Sequence, residues 1–185
     1  MPPREISSGV EKNGASTEKL SLELHIFNPV REKWSEVREE VQEQLSLNVA
    51  PEGIPLEQNP EFTEEVLKRL FEDPKTIAVF LRDQRTLRIQ GFTFAIPDED
   101  DGSGKTAYIY STKIRPQLHG QRLIVSLMAE LEAALKKKGY DYLTRDARIL
   151  NGYADKIQKS YKGRILESKD HDSAYGPQRY FKIAL

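Results

Sequence analysis

The segment from residue 106 to residue 147 is the part of the sequence that most constrains the fold. TAYIYSTKI, at 106–114, is rich in β-branched and aromatic residues, as strands are. Residues 120–138 then carry a leucine-rich stripe at helical spacing, and YDYLTRDA, at 140–147, is strand-like again. A strand, a helix and a strand in succession predict a crossover unit, and therefore two parallel strands in one sheet.

The turn inside this unit is the first candidate binding site. Residues 114–128 read IRPQLHGQRLIVSLM, so a strand end is followed by a proline, a short polar turn with one glycine, and an amphipathic helix. The first backbone N–H groups of a helix have no partner within the helix. They point out of the helix start and suit a phosphate, so the sequence predicts an anion site here.

The rest of the chain predicts one mixed α/β domain over residues 20–185, preceded by a polar, disordered tail at 1–19. The element order is β-α-α-β-β-β-α-β-α-β-β. The predicted elements outside the crossover unit are a strand at 20–28, a helix at 30–46, a loop at 48–58, a helix from Asn59-Pro60 that stops before Asp73-Pro74, a hairpin at 76–83 and 87–97, a loop at 98–105, a helix at 151–161 and two strands at 164–170 and 179–185.

Composition excludes several classes of function. The net charge of the 185 residues is −1, which disfavours binding to nucleic acid. There is no cysteine, and the three histidines lack metal-ligand spacing, so no metal site is predicted. No stretch is long and apolar enough for a membrane helix, and the N-terminus lacks the apolar core of a signal peptide. A cytoplasmic location without membrane contact is therefore expected.

GSGKT, at 102–106, is similar to the end of a Walker A loop, but the rest of that motif is missing. The pattern requires a glycine at position 99, where this chain has Glu99. A Walker loop also leads into a helix, whereas this segment leads into the strand at 106–114. We therefore interpret 98–105 as a hairpin connection.

The order of elements over residues 20–185 resembles the GNAT superfamily of acyl-CoA N-acyltransferases. The family motif is Arg/Gln-x-x-Gly-x-Gly/Ala, usually preceded by Val-x-Pro; 114–116 matches the lead-in and 119–124 falls on the motif. The resemblance implies that the strand before the turn splays from its neighbour and pairs with the pantetheine arm of CoA. It also implies that the turn holds the CoA pyrophosphate on backbone N–H groups.

The motif departs from the family pattern at three positions. His119 replaces Arg/Gln, Arg122 replaces the first motif glycine, and Ile124 replaces the final Gly/Ala. Backbone N–H groups suffice for an anion, and an arginine adds charge-assisted hydrogen bonds. An alternative frame, Gln117-x-x-Gly120-x-Arg122, keeps the glutamine and one glycine but fits the helix pattern less well.

A second segment, from Asn151 to Gly163, supports the resemblance. In the family an asparagine opens this helix, and a tyrosine on it protonates the departing CoA thiolate. That tyrosine usually stands where this chain has Gln158, so Tyr161, one turn later, is either the proton donor or a core aromatic. Asn151 is likewise either a ligand of CoA or a helix cap.

The resemblance and the turn together define the predicted site. The predicted catalytic residues are Tyr161 and Tyr110, since a phenol can donate a proton. The predicted cofactor-binding residues are Thr112, Lys113, Ile114, His119, Gly120, Gln121, Arg122, Leu123, Ile124 and Asn151. Lysines at 136–138, 156, 159 and 162 are candidates for contact with the ribose phosphate of CoA.

The proton acceptor is harder to predict. TAYIYSTKI carries no carboxylate, so Glu167 and Asp146 on neighbouring strands are distant candidates. His171-Asp172 is interpreted as a polar turn, with a paired base as the alternative. Tyr108 and Tyr110 alternate with their neighbours and are predicted to share a strand face with Thr112, where they line an acceptor pocket or pack under a helix.

Three functions remain open at this level. The first is transfer of an acetyl group from acetyl-CoA, or another acyl-CoA, to an amine of a small molecule or protein. The second is a catalytically inactive GNAT-fold module that binds or regulates. The third is an α/β interaction domain without a nucleotide site. The acceptor, the acyl chain and the oligomeric state, including a homodimer, are not determined by the sequence.

Overall fold

The computed structural model describes residues 4–7, 21–47 and 59–185, and its strands form an eight-stranded mixed sheet. The strands are β1 (Arg4–Ser7), β2 (Ser21–Ile26), β3 (Ile77–Asp83), β4 (Ile89–Pro97), β5 (Thr106–Ile114), β6 (Tyr142–Arg148), β7 (Ile165–Ser173) and β8 (Gly176–Ala184). The helices are α1 (Trp34–Leu47), α2 (Glu64–Glu72), α3 (Leu123–Lys137) and α4 (Tyr153–Ser160).

The strand order is β1-β2-β3-β4-β5-β6-β8-β7, and every neighbouring pair is antiparallel except β5 and β6. The predicted parallel pair and the predicted element order from β2 onward are confirmed. Residues 4–7 were predicted to belong to a disordered tail, but they pair with β2 as an added edge strand. The rest of 1–19 lies outside the described residues.

The helices cover both faces of the sheet, and each face has its own apolar cluster. Against α1 and α2 the cluster is largely aromatic and includes Trp34, Phe71, Phe80, Phe92 and Phe94. Against α3 and α4 it is aliphatic, with Leu127 and Leu131 fully buried. The amphipathic stripes predicted for these helices therefore face the sheet.

Several helix starts differ from the prediction, and the caps explain why. Helix α1 begins at Trp34 rather than at residue 30. Val30 is 87% exposed and lies in a turn, where the Asn28 side-chain oxygen accepts a hydrogen bond from the Val30 N–H. Asn59 caps a short 3-10 turn, and Thr63 caps α2 by accepting a hydrogen bond from the Val66 N–H. The predicted loop at 48–58 lies outside the described residues.

The hairpin connection at 98–105 leads into β5, as predicted, and not into a helix. Asp101 is held there by Lys182 of β8 and by the Thr106 hydroxyl. These contacts keep the pKa of Asp101 well below its usual range, chiefly through the hydrogen bond from Lys182. No helix in the described ranges combines the length and the apolar composition that a bilayer crossing requires.

Candidate functional site

The parallel strands β5 and β6 separate soon after they begin. They pair only over Thr106–Tyr108 and Tyr142–Thr144, and the pairing then ends although both strands continue. Beyond that point the edge of β5 that faces β6 has no strand partner among the described residues. Its backbone groups are left to pair with an extended ligand. The splayed strand that the resemblance implies is therefore present.

A cavity of about 540 Å³ lies where the two strands separate. Its walls come from β5, β6, the start of α4, the segment before α2 and the turn between β7 and β8. The Tyr175 hydroxyl on that turn lies 2.9 Å from a Glu61 carboxylate oxygen and 3.0 Å from the Asn59 side-chain oxygen, within hydrogen-bond distance of both. These bonds connect two walls that are more than a hundred residues apart in the chain.

A bulge in β5 changes which side chains face the cavity. The register against β4 shifts between Phe94 and Ala95, which inserts Tyr110 as an extra residue. Beyond the bulge, the Thr112 hydroxyl bonds that of Thr93 at 2.9 Å, on the face covered by α3. The prediction that Thr112 shares a face with the two tyrosines is therefore wrong, because the bulge reverses the alternation.

Tyr110 lines the cavity, and its ring is fixed by aromatic contacts. It stacks on Phe94 at 5.2 Å between centroids and meets Phe62 edge-on at 5.7 Å. Its hydroxyl donates to the backbone oxygen of Glu61 at 2.9 Å. Burial raises the pKa of Tyr110 to about 12, so the phenol is neutral at physiological pH.

Asp146 forms the centre of a polar chain at the cavity wall. One carboxylate oxygen accepts from the Tyr108 hydroxyl at 3.1 Å, and the other lies 2.8 Å from Nε2 of His171. This contact raises the pKa of His171, whereas burial raises that of Tyr108. His171, expected in a polar turn beside Asp172, instead lies in β7 and pairs across the sheet. Glu167 does not line the cavity.

Tyr161 is placed away from the cavity. Its ring is 7% exposed in the cluster under α3, and its hydroxyl donates to a Glu132 carboxylate oxygen at 2.7 Å. Arg164 binds the other oxygen of Glu132 at 2.8 Å and lies over the Tyr161 ring. Of the two interpretations of Tyr161, these contacts favour the core aromatic.

The turn before α3 has the features that an anion site requires. Arg122 precedes the helix with φ 58°, a left-handed conformation that glycine adopts most easily, and its side chain makes no cap hydrogen bond. In the described chain no backbone or side-chain acceptor pairs with the N–H groups of residues 120–124. Gly120 (φ 87°), Gln121, Leu123 and Ile124 therefore present free donors beside an exposed arginine.

Two contacts that the sequence did not predict hold this turn in place. Arg115 is 9% exposed, and its Nη1 and Nη2 donate to the two carboxylate oxygens of Glu43 in α1, at 3.1 and 2.5 Å. The ring of His119 lies 3.0 Å from the backbone oxygen of Ile114, which ties the turn to the end of β5. The pair of Arg115 with Glu43 spans 72 residues, so only a covariation signal could have pointed to it.

The remaining residues predicted to contact CoA lie in different parts of the structure. Lys113 lines the cavity, and burial lowers its pKa, with Arg148 as a second cause. Asn151 accepts a hydrogen bond from the Tyr153 N–H at 3.0 Å, as a cap does. Residues 136–138 lie at the far end of α3, roughly 20 Å from the turn. They are therefore remote from the predicted pyrophosphate site, and their contact with the ribose phosphate of CoA stays a prediction.

Arg145 and Tyr153 are among the cavity residues that sequence reasoning missed. Arg145 is only 4% exposed, and its Nη2 donates to the Tyr153 hydroxyl at 2.8 Å. Their positions inside a strand and a helix start gave no local signal. Within residues 4–7, 21–47 and 59–185 no group of three or more histidine, aspartate or glutamate side chains is arranged to hold a metal ion.

Comparison with known proteins identifies the fold. No protein-family model matches the sequence, and no curated protein matches it. Among solved structures, the chain is similar to a GNAT-family acetyltransferase from Staphylococcus aureus (TM-score 0.60, 11% identity, covering 88% of this chain and 99% of that one). It is also similar to the GNAT domain of S. lividans PAT (0.65, 10%, 98% and 97%) and to aminoglycoside 6'-acetyltransferase type Ii (0.63, 17%, 87% and 96%). The chain therefore has the GNAT fold.

Proposed function

We propose that this protein is an acyl-CoA-dependent N-acyltransferase, which transfers an acyl group, acetyl in the simplest case, from CoA to an amine. The observation that carries the proposal is the separation of β5 from β6 directly before a helix start with unpaired N–H groups. That arrangement offers an extended backbone edge for one part of a ligand and an anion site for another. The likeness of fold to known acetyltransferases supports it.

The chain would hold CoA at two places. The N–H groups of residues 120–124 and the guanidinium of Arg122 would bind the pyrophosphate. The edge of β5 over Thr112–Ile114 would pair with the pantetheine arm, and its N–H groups would polarise the thioester carbonyl. Asn151 retains its amide N–H groups for the same arm, since only its oxygen is used in the cap.

The reaction requires a neutral amine and a proton for the leaving group. The amine nitrogen attacks the thioester carbonyl carbon, the C–N bond forms, the C–S bond breaks, and CoA leaves as a thiolate. The proton lost by the amine goes to the pair of Asp146 and His171, and the thiolate is protonated by a phenol. Tyr153 suits this donor role better than Tyr161, because it lines the cavity and its hydroxyl accepts from Arg145, which leaves its own proton free. Tyr110 is the second phenol of the cavity.

Calorimetric titration with acetyl-CoA and with free CoA tests the proposal. We expect micromolar binding that Arg122→Glu weakens strongly, because the substitution places a carboxylate beside the phosphate. Lys68→Glu is the matched control: Lys68 is exposed on α2, on the other side of the sheet, and the charge changes equally. The absence of binding by any CoA species would refute the proposal.

A catalytically inactive acyl-CoA-binding module is the second candidate. The replacement of motif residues at 119, 122 and 124, and Gln158 where the family places its tyrosine, favour it. Binding of acetyl-CoA without release of free CoA over a broad panel of amines would select this candidate. Release of CoA that depends on both an amine and Asp146 would exclude it.

A further inference from the structure

Arg145 is a buried cation without a carboxylate partner. Its side chain lines the cavity although only 4% of the residue is exposed. Its neighbours are neutral: the Tyr153 hydroxyl at 2.8 Å, the Tyr153 ring at 5.0 Å and the Met128 sulfur at 4.0 Å. No Asp or Glu in the described ranges lies within 4 Å of its guanidinium, and its Nε has no hydrogen-bond partner.

The carboxylates of Asp146 and Glu132 are committed to other groups. Asp146 points to the opposite face of β6, where it holds Tyr108 and His171. Glu132 is shared between Tyr161 and Arg164. Burying a guanidinium without a counter-charge is costly, and such a group is normally paired. The missing partner is therefore best supplied by a ligand with a negative charge.

The place of Arg145 in the fold indicates which part of the ligand it meets. It is the first residue of β6 beyond the paired stretch, so it lies where the separation of β5 and β6 begins. The anion site at residues 120–124 lies beyond the other end of β5. The strand from Ile114 back to Ile109 advances by five residue steps, which span roughly 17 Å between the two. A ligand with its phosphates at the turn would extend its reactive end toward Arg145.

We propose that Arg145 binds a carboxylate at the far end of the acyl group, so that the preferred donor is the CoA thioester of a dicarboxylic acid. This inference rests on the proposed function. The guanidinium has donors in a planar fork that matches a carboxylate. An acetyl group has no carboxylate and leaves this charge unpaired, so the cavity distinguishes a dicarboxylic acyl group from an acetyl group.

Calorimetry with two thioesters of equal chain length tests the inference. Succinyl-CoA and butyryl-CoA both carry four-carbon acyl groups, and only the first ends in a carboxylate. We expect succinyl-CoA to bind about 10- to 100-fold more tightly than butyryl-CoA to the wild-type protein. Arg145→Met, which keeps the side-chain volume and removes the charge, should abolish the difference while retaining butyryl-CoA binding.

Two further variants make the assignment specific. Arg145→Lys keeps a charge but loses the fork, so it should retain only part of the preference. Arg148→Met removes a second cavity arginine on the same strand and should leave the preference unchanged. Thermal unfolding of Arg145→Met is an independent readout: the variant should be as stable as the wild type or more so, because an unpaired buried charge has been removed.

The possible results separate the two proposals. Equal binding of both thioesters by the wild-type protein would overturn the inference and leave the acyltransferase proposal standing. A preference that survives in Arg145→Met but disappears in Arg148→Met would also overturn it. Turnover lost equally with every thioester in Arg145→Met, with the binding ratio unchanged, would assign the guanidinium to the thiolate instead. If no CoA species binds, both proposals fail.

Discussion

Replacement of Tyr161 by phenylalanine distinguishes a structural from a catalytic role for this residue. The change removes one hydroxyl, which donates to Glu132 at 2.7 Å, and leaves the buried ring in place. Glu132 keeps its contact with Arg164 at 2.8 Å, so its charge remains compensated. A hydrogen bond to a charged acceptor contributes about 1.5–3 kcal/mol, and the remaining partner places the expected loss near the lower end, at about 1–2 kcal/mol.

That loss corresponds to a fall in Tm of roughly 2–8 °C for a chain of this size. Circular dichroism during heating measures it, with acetyl-CoA binding and CoA release followed in parallel. We expect acetyl-CoA binding and CoA release to be unchanged. Tyr180→Phe is the control, because the Tyr180 hydroxyl has no hydrogen-bond partner in the described part of the chain, and its Tm should not move. A drop in turnover of a hundredfold at unchanged Tm would refute the reasoning and restore Tyr161 as a proton donor.

The pH dependence of the same variant adds a second check. Burial and the contact with Glu132 raise the pKa of Tyr161 above 10.0. A raised pKa means that the stabilisation is complete below the unfolded pKa and is lost as the pH rises through the folded one. The stabilities of the wild type and of Tyr161→Phe should therefore converge only above about pH 10. Convergence at neutral pH would contradict the assignment of the contact.

Three more outcomes follow from contacts of the described residues. The hydrogen bond from Arg115 lowers the pKa of Glu43, so this pair stabilises the fold above pH 4.5 and loses its effect as the pH falls. In Glu43→Gln the free energy of unfolding should therefore fall less steeply as the pH is lowered below 4.5. An unchanged pH dependence in this range would contradict the reasoning. Asp146→Asn should return the pKa of His171 from its raised value towards 6.5, as measured by NMR titration. In the wild type, the contact between Asp146 and His171 stabilises the fold fully below pH 6.5, and this stabilisation is lost as the pH rises through the raised pKa. Gly91→Ala should destabilise by about 1–3 kcal/mol in urea unfolding, because its Cβ would lie 2.9 Å from a backbone oxygen of β5; full stability would mean that the strands move apart easily.

Much of the fold could be predicted because it depends on local pattern. The strand at 106–114, the turn and the leucine stripe of α3 predict a crossover, and the crossover predicts the parallel pair. The position of the candidate anion site follows from the same segment, since a helix start after a strand leaves N–H groups free wherever it occurs. Helix starts were less well predicted. Val30 fits the apolar stripe, but a turn closed by Asn28 precedes the helix.

The cavity residues could not be predicted in the same way, because pairing register decides them. One extra residue in β5 reverses the alternation, so Thr112 faces α3 while Tyr110 faces the cavity. The pair of Asp146 with His171 joins two strands that are not adjacent in the sheet order, and 25 residues separate the two. For this reason, the position of His171 beside Asp172 in the sequence indicated the wrong carboxylate partner for His171.

By itself, the sequence determined the order of elements, the crossover and the position of the turn before α3, all of which arise from residues within about one helix or strand of each other. Only the tertiary structure decided that Tyr161 is tied to Glu132, that Tyr153 lines the cavity, and that Arg145 is buried without a counter-charge. The physical reason is that burial and charge pairing depend on which distant side chains share a volume. Strand register and helix packing determine that volume, and local periodicity does not.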